Sequence, residues 1–277
     1  MPNAYRRFIT LPYLAWAGVF IVLPILLIVY YSLTVEADGH LLLSLENYKR
    51  AFDPVYLTIF RRSASLSLSC TAICLLLGYP IAYILASREY AHKSFLLFLF
   101  LIPMWMNFLL RTYSWISILE RNGLINTALR AIGLPTADLL FNNAAVLLGM
   151  VYNFLPFMIL PICSVLKKRE QSLIEAAQDL GANSRQVFTK LIFPLSVPGV
   201  VSGITMVFMP ATSTFIISDL LGGAQNMLIG NLIEQQFLRV NDWHFGSAVS
   251  VILMLVFLAS FGIFSAIDKD EGVGLLY

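Results

Sequence analysis

Charge is scarce in this sequence. Of 277 residues only 12% are Asp, Glu, Lys or Arg, where soluble domains carry about 25%. Mean hydropathy is +0.78, which excludes a soluble domain and places the chain among integral membrane proteins. A net charge of +2 is too small to attract nucleic acid. A phosphate loop is also missing. None of the six lysines follows a glycine, so no G-x-x-x-x-G-K-[ST] cradle for ATP exists, and an ATP-driven motor would have to be another polypeptide. No H-E-x-x-H occurs, and His40, His92 and His244 are scattered across loops, which gives no metal centre. The three cysteines form no C-x-x-C. Cys70 and Cys74 lie one helical turn apart in one apolar run and Cys163 sits in another. An odd count without that spacing excludes a disulfide framework, and the three read as small apolar helix residues. No nucleophile motif is present, so no enzyme chemistry and no cofactor is expected.

What fills the chain is a series of apolar runs long enough to span a bilayer. Leu11–Leu33 follows a short basic start at Tyr5–Arg7. Its length and the lack of a small-residue cleavage site predict a retained anchor with a cytoplasmic N-terminus. Tyr30 and Tyr31 then fall near the far interface. Further spans are predicted at Ser63–Ala86, Ser94 to about Leu110 (with a break at Pro103), Asn143–Leu166, Leu191–Ile217 (interrupted by Pro198 and Pro210) and Gly246–Ile267. Between them lie a small external helix at Leu45–Pro54 and a basic turn at Arg88, His92 and Lys93. Turns are expected at Asn122-Gly123 and Gly133-Leu134-Pro135, and a re-entrant or interfacial helix around Leu228–Phe237. The expectation is an all-α integral membrane protein, six transmembrane helices in a single domain over 1–277, with both termini cytoplasmic. Ten of the 18 Lys and Arg residues fall in the segments assigned to the cytoplasm, in agreement with the positive-inside rule.

The most polar run between two apolar segments is Glu175–Pro194, EAAQDLGANSRQVFTKLIFP. Leu173–Leu180 contains no helix breaker, and Ala176 and Ala177 favour helix and allow another surface to approach closely. Gly181 suits a helix C-terminus in the left-handed conformation. Asn183 or Ser184 can cap a second helix over Arg185–Leu191. The predicted unit is a short helix, a tight turn and a second short helix, shaped to enter a cleft on a partner.

The spacing Glu175-Ala176-Ala177, three residues, Gly181, nine residues, Leu191, then Phe193-Pro194 resembles the cytoplasmic coupling motif of ABC importer permeases, EAA-x3-G-x9-I-x-L-P. Leu191 and Phe193 stand for the usual Ile and Leu. Other stretches are similar to the spermidine/putrescine importer permeases, of the first permease subunit type. They are LGYPIAYILA (Leu77–Ala86), IPMWMNFLLRTYSWI (Ile102–Ile116), VYNFLPFMILP (Val151–Pro161), SDLLGGAQNMLIGNLI (Ser218–Ile233) and DWHFGSA (Asp242–Ala248). The coupling motif is shared by many importers and says little about cargo; the Ser218–Ile233 stretch discriminates more. The resemblance implies a type I ABC importer permease fold in a prokaryotic inner membrane, with coupling helices at about 167–190. Its partners would be two ATPase subunits, a second related permease, an extracytoplasmic polyamine-binding protein and membrane lipid. ATPase coupling would rest on Glu175, Ala176, Ala177, Gly181 and Pro194.

A polyamine is an extended multivalent cation, so a path for it needs carboxylates, aromatic faces and few competing cations. Asp219 reads either as a cation contact at the outer mouth or as a cap for the stretch from Leu220. Pro210 either kinks its helix or frees the Met206 carbonyl as a negative dipole end. Trp105 reads as a stacking face or an interface anchor, with Asn107 beside it and Arg111 snorkelling or paired with an acid. Tyr152 and Asn153 either line the path or bond between helices. Glu234 and Asp242 are external acids that dock a binding protein or are merely solvated. Two rival readings remain open: a permease for another small solute, and a secondary transporter or channel, which six spans alone permit but which has no need of a coupling hairpin.

Overall fold

In hydrocarbon every backbone N–H and C=O must find a partner within the chain, so apolar runs become helices. The computed structural model describes residues 11–37, 40–87, 94–168, 171–223 and 226–274, and over these it is almost entirely helical. In chain order the elements are α1 (Leu11–Ser32), a hairpin of β1 (Thr34–Ala37) and β2 (His40–Leu43), α2 (Glu46–Ala51), α3 (Pro54–Leu85), α4 (Ser94–Trp105) and α5 (Phe108–Leu119). There follow α6 (Leu124–Ala131), α7 (Asn143–Lys167), α8 (Gln171–Asp179), α9 (Ser184–Ser213), α10 (Ile229–Gln235) and α11 (Trp243–Gly274). Among the described residues five helices are long and apolar enough to cross a membrane: α1, α3, α7, α9 and the Trp243–Ile263 part of α11.

The third expected span differs. Pro103 lies inside α4 and does not end it. The break falls at Met106–Asn107, because Asn107 leaves helical geometry (ψ 130°) and caps α5 by accepting from the Leu109 and Leu110 amides at 2.8 and 3.4 Å. The span is thus divided into two helices of 12 residues. α3 begins at Pro54, nine residues before its expected start at Ser63. Proline at a first helical position loses only a donor that would lack a partner anyway. The basic start at Tyr5–Arg7 and the basic turn at Arg88–Lys93 lie outside the described residues.

Two prolines are accommodated by the same device. In α1 the segment Gly18–Val22 is a π-turn, closed by the Leu23 amide on the Gly18 carbonyl, immediately before Pro24. In α9 the segment Phe188–Ile192 is a π-turn, closed by the Phe193 amide on the Phe188 carbonyl, immediately before Pro194. A wider turn ahead of the ring makes room for it and lets the helix continue. The expected second coupling helix therefore does not stop at Leu191; it runs without interruption into the fifth span, 30 residues from Ser184 to Ser213. Pro198 and Pro210 sit inside this helix, and its end comes instead at Thr214, whose backbone is extended (φ −64°, ψ 135°).

The chain divides into two compact units, Met1–Thr58 with Leu232–Val256, and Ile59–Asn231 with Phe257–Tyr277. In the first, Asn47 donates to the Thr34 carbonyl at 2.9 Å and the Tyr48 hydroxyl donates to Ser32 Oγ at 2.8 Å, docking α2 under the hairpin. The Arg50 guanidinium meets Asp242 at 2.7 Å and lies 4.1 Å from the centre of the Phe245 ring. Partial burial works against this cation, but hydrogen bonds to Asp242 and Tyr56 outweigh it and raise its pKa.

In the second unit α7 and α9 pack through glycine. A Cβ at Gly199 would lie 3.0 Å from the Ile162 Cα and the Pro161 carbonyl oxygen, both backbone atoms that cannot turn aside. A Cβ at Gly203 would lie 2.7 Å from Met158 Sδ. Small residues let helices approach closely where no hydrophobic effect drives them together. Around this contact Cys70, Cys74, Met150, Met158, Ile159, Ile162, Cys163 and Val207 are buried, as expected for the cysteines. Gly199→Ala is expected to destabilise the protein by about 1–3 kcal/mol through overpacking. Gly18→Ala, where a Cβ has no neighbour within 4 Å, is expected to be neutral or slightly stabilising. Thermal unfolding of the purified complex in detergent checks the pair.

Candidate functional site: a capped hairpin and a broken helix

The hairpin between α8 and α9 is built by two complete caps. At the end of α8, the Gly181 amide donates to the Gln178 carbonyl at 2.8 Å and the Ala182 amide to the Ala177 carbonyl at 3.0 Å. This double closure requires a left-handed residue, and Gly181 has φ +85°. At the start of α9, Asn183 Oδ1 accepts from the Gln186 amide and Gln186 Oε1 accepts from the Asn183 amide, both at 2.9 Å. That reciprocal capping box settles the choice between Asn183 and Ser184 in favour of Asn183.

Glu175 and Ala176 are exposed on α8, and Ala177 is half-buried. Ala177, Leu180, Gly181, Ala182, Val187 and Leu191 line a groove of about 360 Å³ between the two helices. Leu180, at the tip of the turn, is 89% exposed. The root of the hairpin is held by aromatic packing. Phe188 meets the rings of Tyr79 and Tyr83 edge-on at 6.1 and 5.7 Å, and Tyr79 hydrogen-bonds Ser196 at 2.9 Å. Pro194 follows the π-turn and ties the hairpin to the span without a joint.

At the other end of α9 the candidate path residues are placed as follows. Asp219 is exposed, on a π-turn at Ser218–Gly222, and its amide donates to the Phe215 carbonyl at 2.9 Å. It lies within the turn rather than before it, and the N-cap position is Ile217 with no side-chain bond. The capping alternative for Asp219 therefore falls, because the helical turn starts upstream of it. Pro210 is half-buried one turn before the end of α9. Trp105, 79% exposed, ends α4, and Asn107 spends its side-chain oxygen on the cap of α5. Tyr152 is partly exposed on α7, with its ring edge-on to Trp115 at 5.4 Å. Asn153 is buried and donates to the Gly149 carbonyl of its own helix at 2.8 Å. Arg111 does not snorkel: it is buried, 5.9 Å from the Phe108 ring centre, and among the described residues its Nε has no hydrogen-bond partner. Asp242 serves structure, pairing with Arg50 and accepting from the Phe245 amide at 3.0 Å. Glu234 lies 3.9 Å from Arg239. Among the described residues no cluster suited to a metal occurs.

A feature that periodicity does not reveal is the polar knot that closes the break after Ser213. Asn231 donates to the Phe215 carbonyl at 2.9 Å and accepts from the Leu228 amide at 3.1 Å and from the Ser218 hydroxyl. The Ile229 amide donates to Ser63 Oγ on α3 at 2.8 Å. The only trace in the sequence is Gly-Asn within an otherwise apolar run.

Residues 55–270 match the family model described as binding-protein-dependent transport system inner membrane component. The chain is 40% identical over 246 residues to the spermidine/putrescine transport system permease protein PotB of Escherichia coli (strain K12), covering 87% of this chain and 90% of that one. It is 38% identical over 259 residues to the protein of the same description from Haemophilus influenzae, covering 92% and 91%. In structure it is similar to a chain of a bacterial alginate ABC transporter in complex with alginate pentasaccharide-bound periplasmic protein, with TM-score 0.78 at 15% identity, covering 97% and 95%; at that identity the likeness concerns the fold.

Nothing lies within 4 Å of a Cβ at Gly181, so only backbone conformation penalises substitution there. Gly181→Val is expected to loosen the hairpin by roughly 1 kcal/mol or more, and Gly181→Asn, which tolerates the left-handed region, by clearly less. Asn183→Ala removes the capping box, at a cost of about 1 kcal/mol. Amide hydrogen exchange over residues 171–187 of the purified protein should rise in the order Asn, then Ala or Val, at these sites.

Proposed function

This chain belongs to the family of binding-protein-dependent transport system inner membrane components, and from that premise we propose that it is the membrane-spanning permease subunit of an ATP-driven importer that carries polyamines, spermidine and putrescine, into the cytoplasm. The observation that carries the coupling role is the exposed, doubly capped hairpin at Gln171–Val187, continuous with a span. The polyamine cargo is supported by the relatives that share about two-fifths of its residues. ATP is hydrolysed by two separate ATPase subunits, a second related permease supplies the other half of the pathway, and an extracytoplasmic binding protein delivers the cargo. The whole chain acts as one permease domain, multi-pass in a prokaryotic inner membrane, with both termini cytoplasmic.

The mechanism follows from the continuity of α9. Glu175, Ala176 and Ala177 present α8 to the ATPase, and Gly181 sets the turn. From Ser184 to Ser213 the helix has no break, a length of about 45 Å at 1.5 Å per residue. A displacement of the hairpin on ATP binding is therefore delivered as a rigid movement to the break at Thr214. Asp219 stands five residues beyond it, and the cargo path runs by its carboxylate, with Trp105, Asn107, Tyr152 and the Pro210 region as further contacts. A carboxylate suits an ammonium here, and it is costly near lipid depth unless it faces water, a partner or cargo.

Cells lacking only this chain are expected to lose high-affinity uptake of labelled spermidine and putrescine, and the wild-type gene to restore it. Retained uptake in that strain would reject the assignment. With Gly181→Val, the complex is expected to assemble in the membrane while ATP hydrolysis no longer drives uptake; normal transport by fully expressed variant would overturn the coupling role. Purified with the ATPase but without the second permease, the chain should show no substrate-stimulated hydrolysis, and liposome transport by a homodimer would contradict the requirement for unlike halves.

A further inference from the structure

Beyond the end of α9, hydrogen bonds from the turn at Phe215–Ser218 and from the start of α10 converge on one residue. Asn231 is 5% exposed. Its amide nitrogen donates to the Phe215 carbonyl at 2.9 Å. The same carbonyl oxygen accepts from the Asp219 amide at 2.9 Å and stands 3.1 Å from Ser218 Oγ. The Ser218 hydroxyl, buried at 1% exposure, has one proton, and Asn231 Oδ1 is within its reach as the alternative acceptor. Asn231 Oδ1 also takes the Leu228 amide, and the next amide, of Ile229, is anchored on Ser63 of α3. Gly230 permits this closeness: a Cβ there would lie 2.3 Å from the Ser213 carbonyl oxygen, which is backbone and has no room to yield.

Asp219 thus leaves a turn whose backbone is fixed from two sides. Its own amide and the amide of Asn231 share one oxygen, and its neighbour Ser218 bonds the same pair. Aspartate has a single methylene between backbone and carboxylate, so its charge is confined to the few rotamer positions about the backbone at 219. Among the described residues no hydrogen bond or ion pair occupies that exposed carboxylate.

We propose that Asn231, with Ser218, is a positioning residue that aims the Asp219 carboxylate at an ammonium group of the cargo. This rests on the reading of Asp219 as a cation contact. Glycine at 230 and asparagine at 231 are then specificity elements of the transporter, because they hold the charge in register with a cation although neither touches it.

The test uses cells carrying the complete transporter and measures spermidine uptake across concentration, with membrane abundance and ATPase activity of the purified complex in parallel. The variants are Asp219→Asn, Asn231→Asp, Ser218→Ala and the double variant Asp219→Asn/Asn231→Asp. Each single variant is expected to raise the half-saturating spermidine concentration by roughly fivefold with the maximal rate little changed, as loss of binding does. The double variant is expected to be no worse than Asp219→Asn alone, since Asn231 acts through that carboxylate. A merely structural Asn231 would add its own defect. Multiplying effects in the double variant, with Asp219→Asn impaired, would overturn the positioning role and leave the cation contact standing. Wild-type uptake by Asp219→Asn would remove the contact and this proposal together. If Asn231→Asp does not reach the membrane, Ser218→Ala decides: wild-type half-saturation at normal abundance overturns the proposal.

Discussion

Within a bilayer an unpaired backbone amide or carbonyl has no water to turn to, and a spanning chain must close every such bond on itself. Several departures from regular helix among the described residues are compensated in this way. Where Pro24 and Pro194 remove a donor, the preceding turn widens and its amide reaches one residue further back. Where the helix ends, at Asp179 and before Ser184, paired backbone bonds and a reciprocal side-chain box close it. After α9 stops at Ser213, Asn231 bonds the Phe215 carbonyl and the Ser218 hydroxyl, and Ser63 accepts from the Ile229 amide at the start of α10. At both ends of α9 the irregular backbone is served by caps or side chains.

Pro198 and Pro210 lie inside α9 without ending it. The glycine seam at 199 and 203 holds α9 against α7, and Tyr79 packs on Phe188 at the root of the hairpin. α9 is thus helical from Ser184 to Ser213 and ends at the extended Thr214. In this second unit α7 and the turn after Thr214 also meet through glycines at 149 and 222, where a Cβ would lie 2.5 Å from Leu221 and 2.7 Å from Val146. The turn bearing Asp219 is packed on one side and open on the other.

Much of this was legible before any coordinates. Apolar run length marks the spans, since length and hydropathy are what a bilayer reads. Leu173–Leu180 without a breaker, then Gly181, then Asn183, marks the hairpin, because left-handed backbone and side-chain caps each select few residue types. Boundaries were less legible. The span from Ser94 divides at Asn107, not Pro103, because a cap with two amide partners is a stronger stop than a proline whose missing bond the bilayer environment lets neighbours replace. Pro198 and Pro210 likewise lie inside a continuous helix and do not interrupt the fifth span. The Ser218–Ile233 stretch signals importance without showing its cause.

The sequence by itself determined that this is a membrane protein with a short helical hairpin, and which local conformations Gly181 and Asn183 must take. Those are consequences of composition and of single residues acting on their nearest neighbours. Only the tertiary structure decided that the hairpin and the fifth span are one helix, that Arg111 is buried, and that Asn231 meets Phe215 and Ser218 across more than a dozen residues. Those facts depend on which segments come together in space, and hydrogen bonds between distant segments leave no periodicity in the chain to announce them.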